Sequence, residues 1–244
     1  MKIIKLSAID STNSFLKELE RKNDQENYTT VVANAQTKGR GQMHTKWASE
    51  PYKNLTFSTL INLKKLKTSH SAYLSFAISL AIFDILQEYD IPNLKIKWPN
   101  DILSGNQKIC GILIENTISK HRIINSIAGI GLNVNQERFD NNLHATSMIH
   151  FLKKETSLDA LLQDIVKNIK CYIQYIELEK FAALKALYLQ NLYKVDIPTA
   201  FKDLNGHIFM GIIKDVTDQG TIILELEDES LKEFDLKEIS LARA

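Results

Sequence analysis

An α+β fold is predicted by the sequence: a mixed β-sheet with helices packed on it, followed by a small C-terminal β-barrel. Three observations carry this. The chain has 244 residues, 44% of them hydrophobic, which suits one medium domain with a small appendage better than two equal ones. Strand-like segments in the first part arrive as near neighbours and short hairpins, not in strict strand-helix-strand alternation, so a doubly wound parallel sheet fits less well. From about residue 192 the pattern becomes all-β, with short strands at the spacing of a small barrel. The expected division is a larger unit over residues 1–191 and a barrel over 192–244.

"KIIKLSAI" reads as a strand, "STNSFLKELERK" as a helix entry and "TTVVANA" as a buried strand. "NLTFSTLINL" alternates with period two, putting Leu55, Phe57, Thr59 and Ile61 on one face. "SAYLSFAISLAIFDILQEY" spaces Tyr73, Phe76, Ala77, Leu80 and Phe83 as a helix and is apolar around much of its remaining surface, which predicts a core helix against a sheet. "LKIKW", "KICGILIENTI" and "RIINSIAGIGLNV" read as three more strands. The segment from Thr156 to Tyr193 opens with a Thr156/Asp159 capping pair and is helical in period, with a break near Glu177. In the tail, "VDIPTAF", "HIFMGIIKDV", "TIILELE" and "LKEFDL" are strands separated by Asn205-Gly206, Asp218-Gln219-Gly220 and an acidic turn.

Thirty basic residues nearly cancel twenty-nine acidic ones, so net charge gives no sign of a polyanion binder and any electrostatic function must be local. The amino terminus lacks the apolar core and small-residue cleavage site of a signal peptide, and no apolar run reaches the roughly 18 residues of a membrane helix. No membrane association is expected. Cys110 and Cys171 have no metal-type spacing and lie in apolar periodic segments, which predicts two buried thiols in a reducing, cytoplasmic setting. Locally, residues 38–67 hold seven Lys or Arg and one Glu, whereas residues 225–238 hold seven acids and two lysines.

Chemistry concentrates in three places. In "QTKGRGQMHTKW", Gly39 and Gly41 would permit positive φ angles and close ligand approach, and Arg40 between them could grip a phosphate or carboxylate. Lys38, Lys46 and Lys53 add positive potential, and Trp47 offers a flat π surface. An ordinary mobile surface loop is the plainer alternative. The chain has no Walker loop, so a nucleoside triphosphate would be held another way. In "KIKWPNDILSGNQKICGILIE", Pro99 ends a strand and throws Asn100 and Asp101 into a turn, and a hairpin then brings Lys108 toward Asp101. A lysine within about 4 Å of a developing negative charge could contribute up to ~4 kcal/mol at an effective dielectric near ~20. In "AGIGLNVNQ", Gly129 and Gly131 suggest close approach, and Asn133 could read a base edge. Packing explains the same glycines.

Taken together, "STN" at 11–13, "QTKGRG" at 36–41, W-x-S at 47–49, "KNLTFS", "KWPND", "KICGILIE" and "GIGLNVN" resemble, in order and approximate spacing, the motifs of biotin protein ligases. The motifs cover residues 1 to about 150, and "KEISLARA" resembles the end of that family's SH3-like C-terminal barrel. The resemblance implies a class II aminoacyl-tRNA synthetase/biotin ligase-like catalytic unit binding biotin and ATP, with Mg²⁺. It also implies a two-step reaction: biotinyl-5′-AMP and pyrophosphate form first, and biotin then passes to a lysine of the biotin carboxyl carrier protein of a carboxylase. Ser11, Thr12, Asn13 and Gln36 would bind the biotin head group, with Gly39 and Gly41 closing the loop over it. Arg40 would meet the carboxyl-phosphate region, and Lys108 would bridge carbonyl and α-phosphate oxygens. Gln42, Trp47, Asn100 and Asn133 would help hold the nucleotide. Asp101 would orient Lys108 or accept the amine's proton. The magnesium ligands are not identifiable from the sequence.

The family's common loop is GRGRRGR, whereas Gln42, Met43, His44 and Thr45 follow Gly41 here. Looser retention of biotinyl-AMP is expected unless Lys46 and Lys53 compensate. The catalytic motifs begin by Ser11, so no helix-turn-helix and no operator binding are expected. Residues 38–50 are expected to close after ligand arrives. A homodimer through an exposed sheet edge is left open. The nearest alternative is a lipoate or octanoate ligase, against which "KWPND" and "QTKGRGQ" speak; a nucleic-acid-binding module is disfavoured because aromatics do not interleave with the basic run.

Overall fold

The computed structural model describes residues 2–22, 25–42, 45–63, 66–140 and 144–242. Its larger sheet contains β1 (Ile3–Leu6), β2 (Thr30–Ala33), β3 (Leu55–Asn62), β4 (Leu94–Lys97), β5 (Asp101–Ser104), β6 (Gln107–Ser119) and β7 (Arg122–Leu132). The strands lie in the order β1-β2-β3-β7-β6-β5-β4. Only β1 and β2 pair in parallel, so the sheet is mixed, as expected. Asp101, expected in a turn, instead begins the four-residue strand β5, which is an addition to the strands expected from the sequence.

Helix α1 (Thr12–Lys22) packs on one face, burying Leu16 with Val31, Leu60 and Ile127. On the other face α2 (Ala72–Glu88) lies over Leu55, Phe57 and Ile61, within the main core. Strand β3 is therefore buried on both sides, and its alternation separates two cores instead of core from solvent. The stretch Thr68–Glu88 is long and apolar enough to cross a membrane by length and composition, against the expectation of no such run. Yet 72% of its most apolar 18-residue window is buried within the protein, the environment of a core helix.

After β7 come α3 (Ile149–Leu152), α4 (Leu158–Glu177) and α5 (Phe181–Gln190), with the break at Glu177 where expected. The cap of α4 falls one residue later than predicted: Ser157 accepts from the Ala160 amide, and Asp159 instead pairs with Lys5 at 2.7 Å. Thr156 lies one residue outside the cap, its backbone N–H and C=O bonded to the side-chain amide of Asn135. Cys110 is buried, and burial pushes its thiol pKa up; Cys171, on the outer side of α4, is exposed, correcting the expectation of two buried thiols.

The tail folds as a second, five-stranded antiparallel sheet of β8 (Pro198–Asp203), β9 (Ile208–Val216), β10 (Ile222–Leu226), β11 (Leu231–Phe234) and β12 (Ile239–Leu241), in the order β11-β10-β9-β8-β12. The β9–β10 turn docks this sheet against the first unit. The Asp218 carbonyl accepts from the Ala72 amide at the start of α2, its carboxylate accepts from the Tyr73 hydroxyl at 2.7 Å, and the Gly220 carbonyl accepts from Trp98 Nε1 at 2.8 Å. Gly220 adopts φ +100°, which a side chain would strain. Trp98 joins Pro99 through a cis peptide bond. The Trp98–Gly220 hydrogen bond ties the β9–β10 turn to the strand end that leads into Asn100 and Asp101.

Candidate active site

Strands β3, β7 and β6 floor a cavity of about 320 Å³ at the amino-terminal end of α1. Its floor is a trough of glycines. Gly111 pairs directly with Gly131, and Leu113 with Gly129, in the β6–β7 ladder. Each glycine makes room for a side chain above it. A Cβ on Gly129 would lie 2.2 Å from Asn13 Oδ1, one on Gly131 would lie 2.3 Å from Trp47 Cε2, and one on Gly111 would lie 3.0 Å from Lys108 Nζ and Trp47 Cζ3. The close approach expected at Gly129 and Gly131 is present, and a protein side chain fills it in each case.

One end of the trough is polar. Gln36 Oε1 accepts from the Thr12 amide at 2.8 Å and lies 3.1 Å from its hydroxyl. Ser58 Oγ lies 2.7 Å from Thr12 Oγ1 and 2.5 Å from Asn13 Oδ1. Asn13 Nδ2 donates to Glu115 Oε2 at 2.8 Å. Ser11, Thr12 and Asn13 are buried at this end, beside the amino terminus of α1.

At the other end stands Lys108, whose Nζ makes an ion pair with Asp101 Oδ1 at 2.6 Å. Strict alternation would put Lys108 on the face of Cys110 and Ile112, away from the cavity. A β-bulge prevents it: β5 residues Ile102 and Leu103 pair with Cys110 and Lys108, leaving Ile109 as the extra residue and turning Lys108 toward Gly111. The backbone of Lys108 is fixed by bonds with His144 and Thr146. Its ammonium lies 5.5 Å from the centroid of the Trp47 ring, and the Trp47 indole N–H is buried with no acceptor among the described residues. Asn100 lines the cavity and fastens the turn to β6, donating through Nδ2 to the Ile112 carbonyl at 2.6 Å.

The glycine-arginine loop closes as a hairpin: Gly41 N–H donates to the Thr45 carbonyl at 2.7 Å, and Trp47 N–H to the Gly39 carbonyl at 3.0 Å. Neither Gly39 nor Gly41 has a positive φ, which corrects the expected reason for glycine there. Close packing is the reason instead, since a Cβ would meet Trp47 O at 2.3 Å from Gly39 and Thr45 Oγ1 at 2.4 Å from Gly41. Arg40, Gly41, Gln42, Lys46 and Trp47 line the cavity, and Gly39 does not. Met43 and His44 lie outside the described residues.

Three expectations change. Lys38 pairs with Asp10 at 2.9 Å and Lys53 with Glu155 at 2.9 Å, both away from the cavity, so Lys46 alone of those three lysines lines it. Asn133 is not brought to the cavity: it is buried, and its amide donates to the Thr146 carbonyl at 3.0 Å, tying 146–148 to the end of β7. Two polar residues were missed, Ser58 and Glu115. Their signal was positional, each being the last residue of a motif already singled out, "KNLTFS" and "KICGILIE". Among the described residues no group of three or more His, Cys, Asp or Glu could hold a metal ion.

Residues 6–135 match the model of the biotin/lipoate A/B protein ligase family. Over 238 residues the chain is 30% identical to the bifunctional ligase/repressor BirA of Bacillus subtilis, covering 96% of this chain and 72% of that protein. It is 24% identical over 204 residues to the biotin–[acetyl-CoA-carboxylase] ligase of Mycobacterium tuberculosis, covering 80% and 73%. Among solved structures, the Aquifex aeolicus biotin protein ligase in complex with biotin and ATP superposes with a TM-score of 0.80 at 28% identity, over 100% of this chain and 99% of that one. The matched region contains the α1 terminus, the glycine-arginine loop, the Asp101–Lys108 hairpin and the glycine floor. The chain belongs to the biotin/lipoate A/B protein ligase family.

Proposed function

We infer that the chain is a biotin protein ligase that makes biotinyl-5′-AMP from biotin and MgATP and then transfers the biotinyl group to a lysine of a biotin carboxyl carrier protein. In the first step a biotin carboxylate oxygen attacks the α-phosphorus, the bond from that phosphorus to the bridging oxygen breaks, and pyrophosphate leaves. In the second, the acceptor amine attacks the acyl carbon, the acyl–oxygen bond breaks, AMP leaves and the amine loses a proton. The polar end of the trough, Ser11, Thr12, Asn13 and Gln36, suits a neutral head group rich in N–H and C=O. Lys108 suits the acyl-phosphate, where negative charge grows in both transition states. Asp101 is close enough to orient that ammonium and to take up the amine's proton. Gln42, Trp47 and Asn100 line the cavity wall, where they would contact the nucleotide, and Arg40, on the same wall, would meet the carboxyl-phosphate region once the loop closes.

The observation that carries this reading is the glycine trough linking a polar recognition end to a lysine re-aimed by a β-bulge. Magnesium would arrive with ATP: Asp101 is a carboxylate lining the cavity, and magnesium is ordinarily held by one or two carboxylates plus substrate phosphates. We place the catalytic unit over 1–191 and the SH3-like unit over 192–244, and the enzyme in the cytoplasm, in keeping with two free thiols. Closure of 38–50 over the adenylate should appear as greater hydrogen-exchange protection with biotinyl-AMP than without. The test of function is ATP-dependent pyrophosphate release with biotin and with lipoate. Biotin-stimulated release that falls about 10²- to 10³-fold in Lys108→Ala is expected, the upper figure matching a loss of ~4 kcal/mol. Release with lipoate alone would move the protein to the lipoate branch, and full activity in the variant would remove Lys108 from the mechanism.

A further inference from the structure

Arg40 is held in the wrong place for the chemistry. Its Nη2 donates to Glu115 Oε2 at 2.9 Å, the same oxygen that accepts from Asn13 Nδ2, while Lys17 Nζ lies 3.7 Å from Oε1. Glu115 stands on the cavity face of β6 two residues beyond Leu113 and four beyond Gly111, which is the glycine beneath Lys108. Four residues of strand span about 13 Å, so Arg40 sits at the polar end, remote from the point where a ligand carboxylate would meet Lys108. The loop that carries Arg40 is otherwise a self-contained hairpin, with Gly41 bonded to Thr45 and Trp47 to Gly39.

We propose that Glu115 is a parking carboxylate: it holds Arg40 at the head-group end in the unliganded enzyme and competes with the ligand's own carboxylate for that guanidinium. This rests on the biotin ligase reading above. The two anions are chemically alike, so Arg40 exchanges one carboxylate for another as the loop closes, and Asn13, sharing Glu115 Oε2, links head-group recognition to the release. When a head group engages Asn13, Glu115 loses one of its two closest donors. Apparent affinity for a carboxylate ligand is lowered by the fraction of molecules in which Arg40 remains parked. Arg40 and Glu115 side chains are 45% and 23% exposed, so the pair is of the partly solvated kind, and its hold on Arg40 corresponds to a modest factor.

Equilibrium binding without ATP separates charge competition from mere structural support. Two ligands are compared, biotin and its alcohol analogue, which keeps the head group and lacks the carboxylate. In Glu115→Gln, whose amide oxygen can still accept from Asn13, the preference for biotin over the alcohol should rise about two- to fivefold. With Arg40→Met as background, the same substitution should leave the preference unchanged. An unchanged or reduced preference in the single variant, or an equal change in both backgrounds, overturns the proposal. Should thermal melting show Glu115→Gln to be unfolded, Glu115→Asp, which draws the charge back by one methylene, must raise the preference in the same direction, and a fall overturns it. Native protein that binds neither ligand overturns the biotin reading itself, an outcome distinct from native binding whose preference no variant moves.

Discussion

Gly129→Ala is a one-methyl probe of the recognition end. The new Cβ would lie 2.2 Å from Asn13 Oδ1, 2.9 Å from its Cγ and 3.1 Å from its Nδ2, contacts too short to keep. The backbone cannot retreat, because Gly129 sits mid-strand in β7, paired with Ser58 on one side and Leu113 on the other. Asn13 must therefore rotate away, losing its bond to the Glu115 carboxylate at 2.8 Å and the 2.5 Å contact with Ser58 Oγ. A hydrogen bond to a charged group contributes about 1.5–3 kcal/mol and a neutral one about 1 kcal/mol, so the network loses roughly 2.5–4 kcal/mol, divided between fold stability and ligand affinity. Urea unfolding measures the first share and biotin titration the second. The expected outcome is a destabilisation of about 1–2 kcal/mol together with biotin affinity weakened at least tenfold. Stability within about 0.5 kcal/mol of native and affinity within about twofold would refute the argument that Gly129 exists to admit Asn13.

The other predictions concern retention, alkaline stability and thiols. Gln42→Arg adds a cation on the cavity wall and should slow escape of biotinyl-AMP in a rapid-quench release assay; equal rates would show that position 42 does not govern retention. Five of the eight tyrosines, Tyr28, Tyr73, Tyr89, Tyr172 and Tyr188, have raised pKa values, first through burial, with Tyr28 pushed up to about 12. A raised folded-state pKa stabilises below the unfolded value of about 10 and is lost as pH rises through the folded one, so stability should fall steeply between about pH 10 and 12. Phenolate absorbance should show these five titrating with unfolding, and titration of all eight near pH 10 in folded protein would contradict it. A thiol reagent should modify exposed Cys171 in the folded state and reach Cys110 only on denaturation.

Much of the fold was legible because its strands and helices carry strong periodicity. Helix α2 is apolar nearly all round, and β3 alternates between two cores, each a direct consequence of what packs on either side. What escaped was set by tertiary register. No local pattern marks Asp101–Ser104 as a strand, because a Pro-Asn-Asp start is turn chemistry that pairing with β4 and β6 on either side overrides. Nor does periodicity reveal that Ile109 is a bulge; alternation counted along "KICGILIE" would send Lys108 into the core with Cys110. Asn133 is a different case: its amide suits a base edge, and here it satisfies the buried Thr146 carbonyl, a partner that no local pattern reveals.

The cavity's electrostatics differ from those of a simple cationic trap. Arg40 is paired with Glu115 and Lys108 with Asp101, while Lys38 and Lys53 are paired outside the cavity. At Arg40 and Lys108 an incoming acyl-phosphate thus replaces protein carboxylates, with Lys46 a further cation on the wall. Such an exchange returns less net Coulomb energy than capture by unpaired cations, because one anion contact is lost for each one gained. It also spares the resting site the cost of holding several like charges together. Gln42, where the family's common loop has a further cation, is consistent with that economy. Selectivity then rests on neutral recognition at the Thr12, Asn13, Gln36 and Ser58 end, and the cations act mainly after the head group is seated. Binding of biotin alone should accordingly vary little with ionic strength, and a steep salt dependence would place the cations, not the polar end, in control of entry.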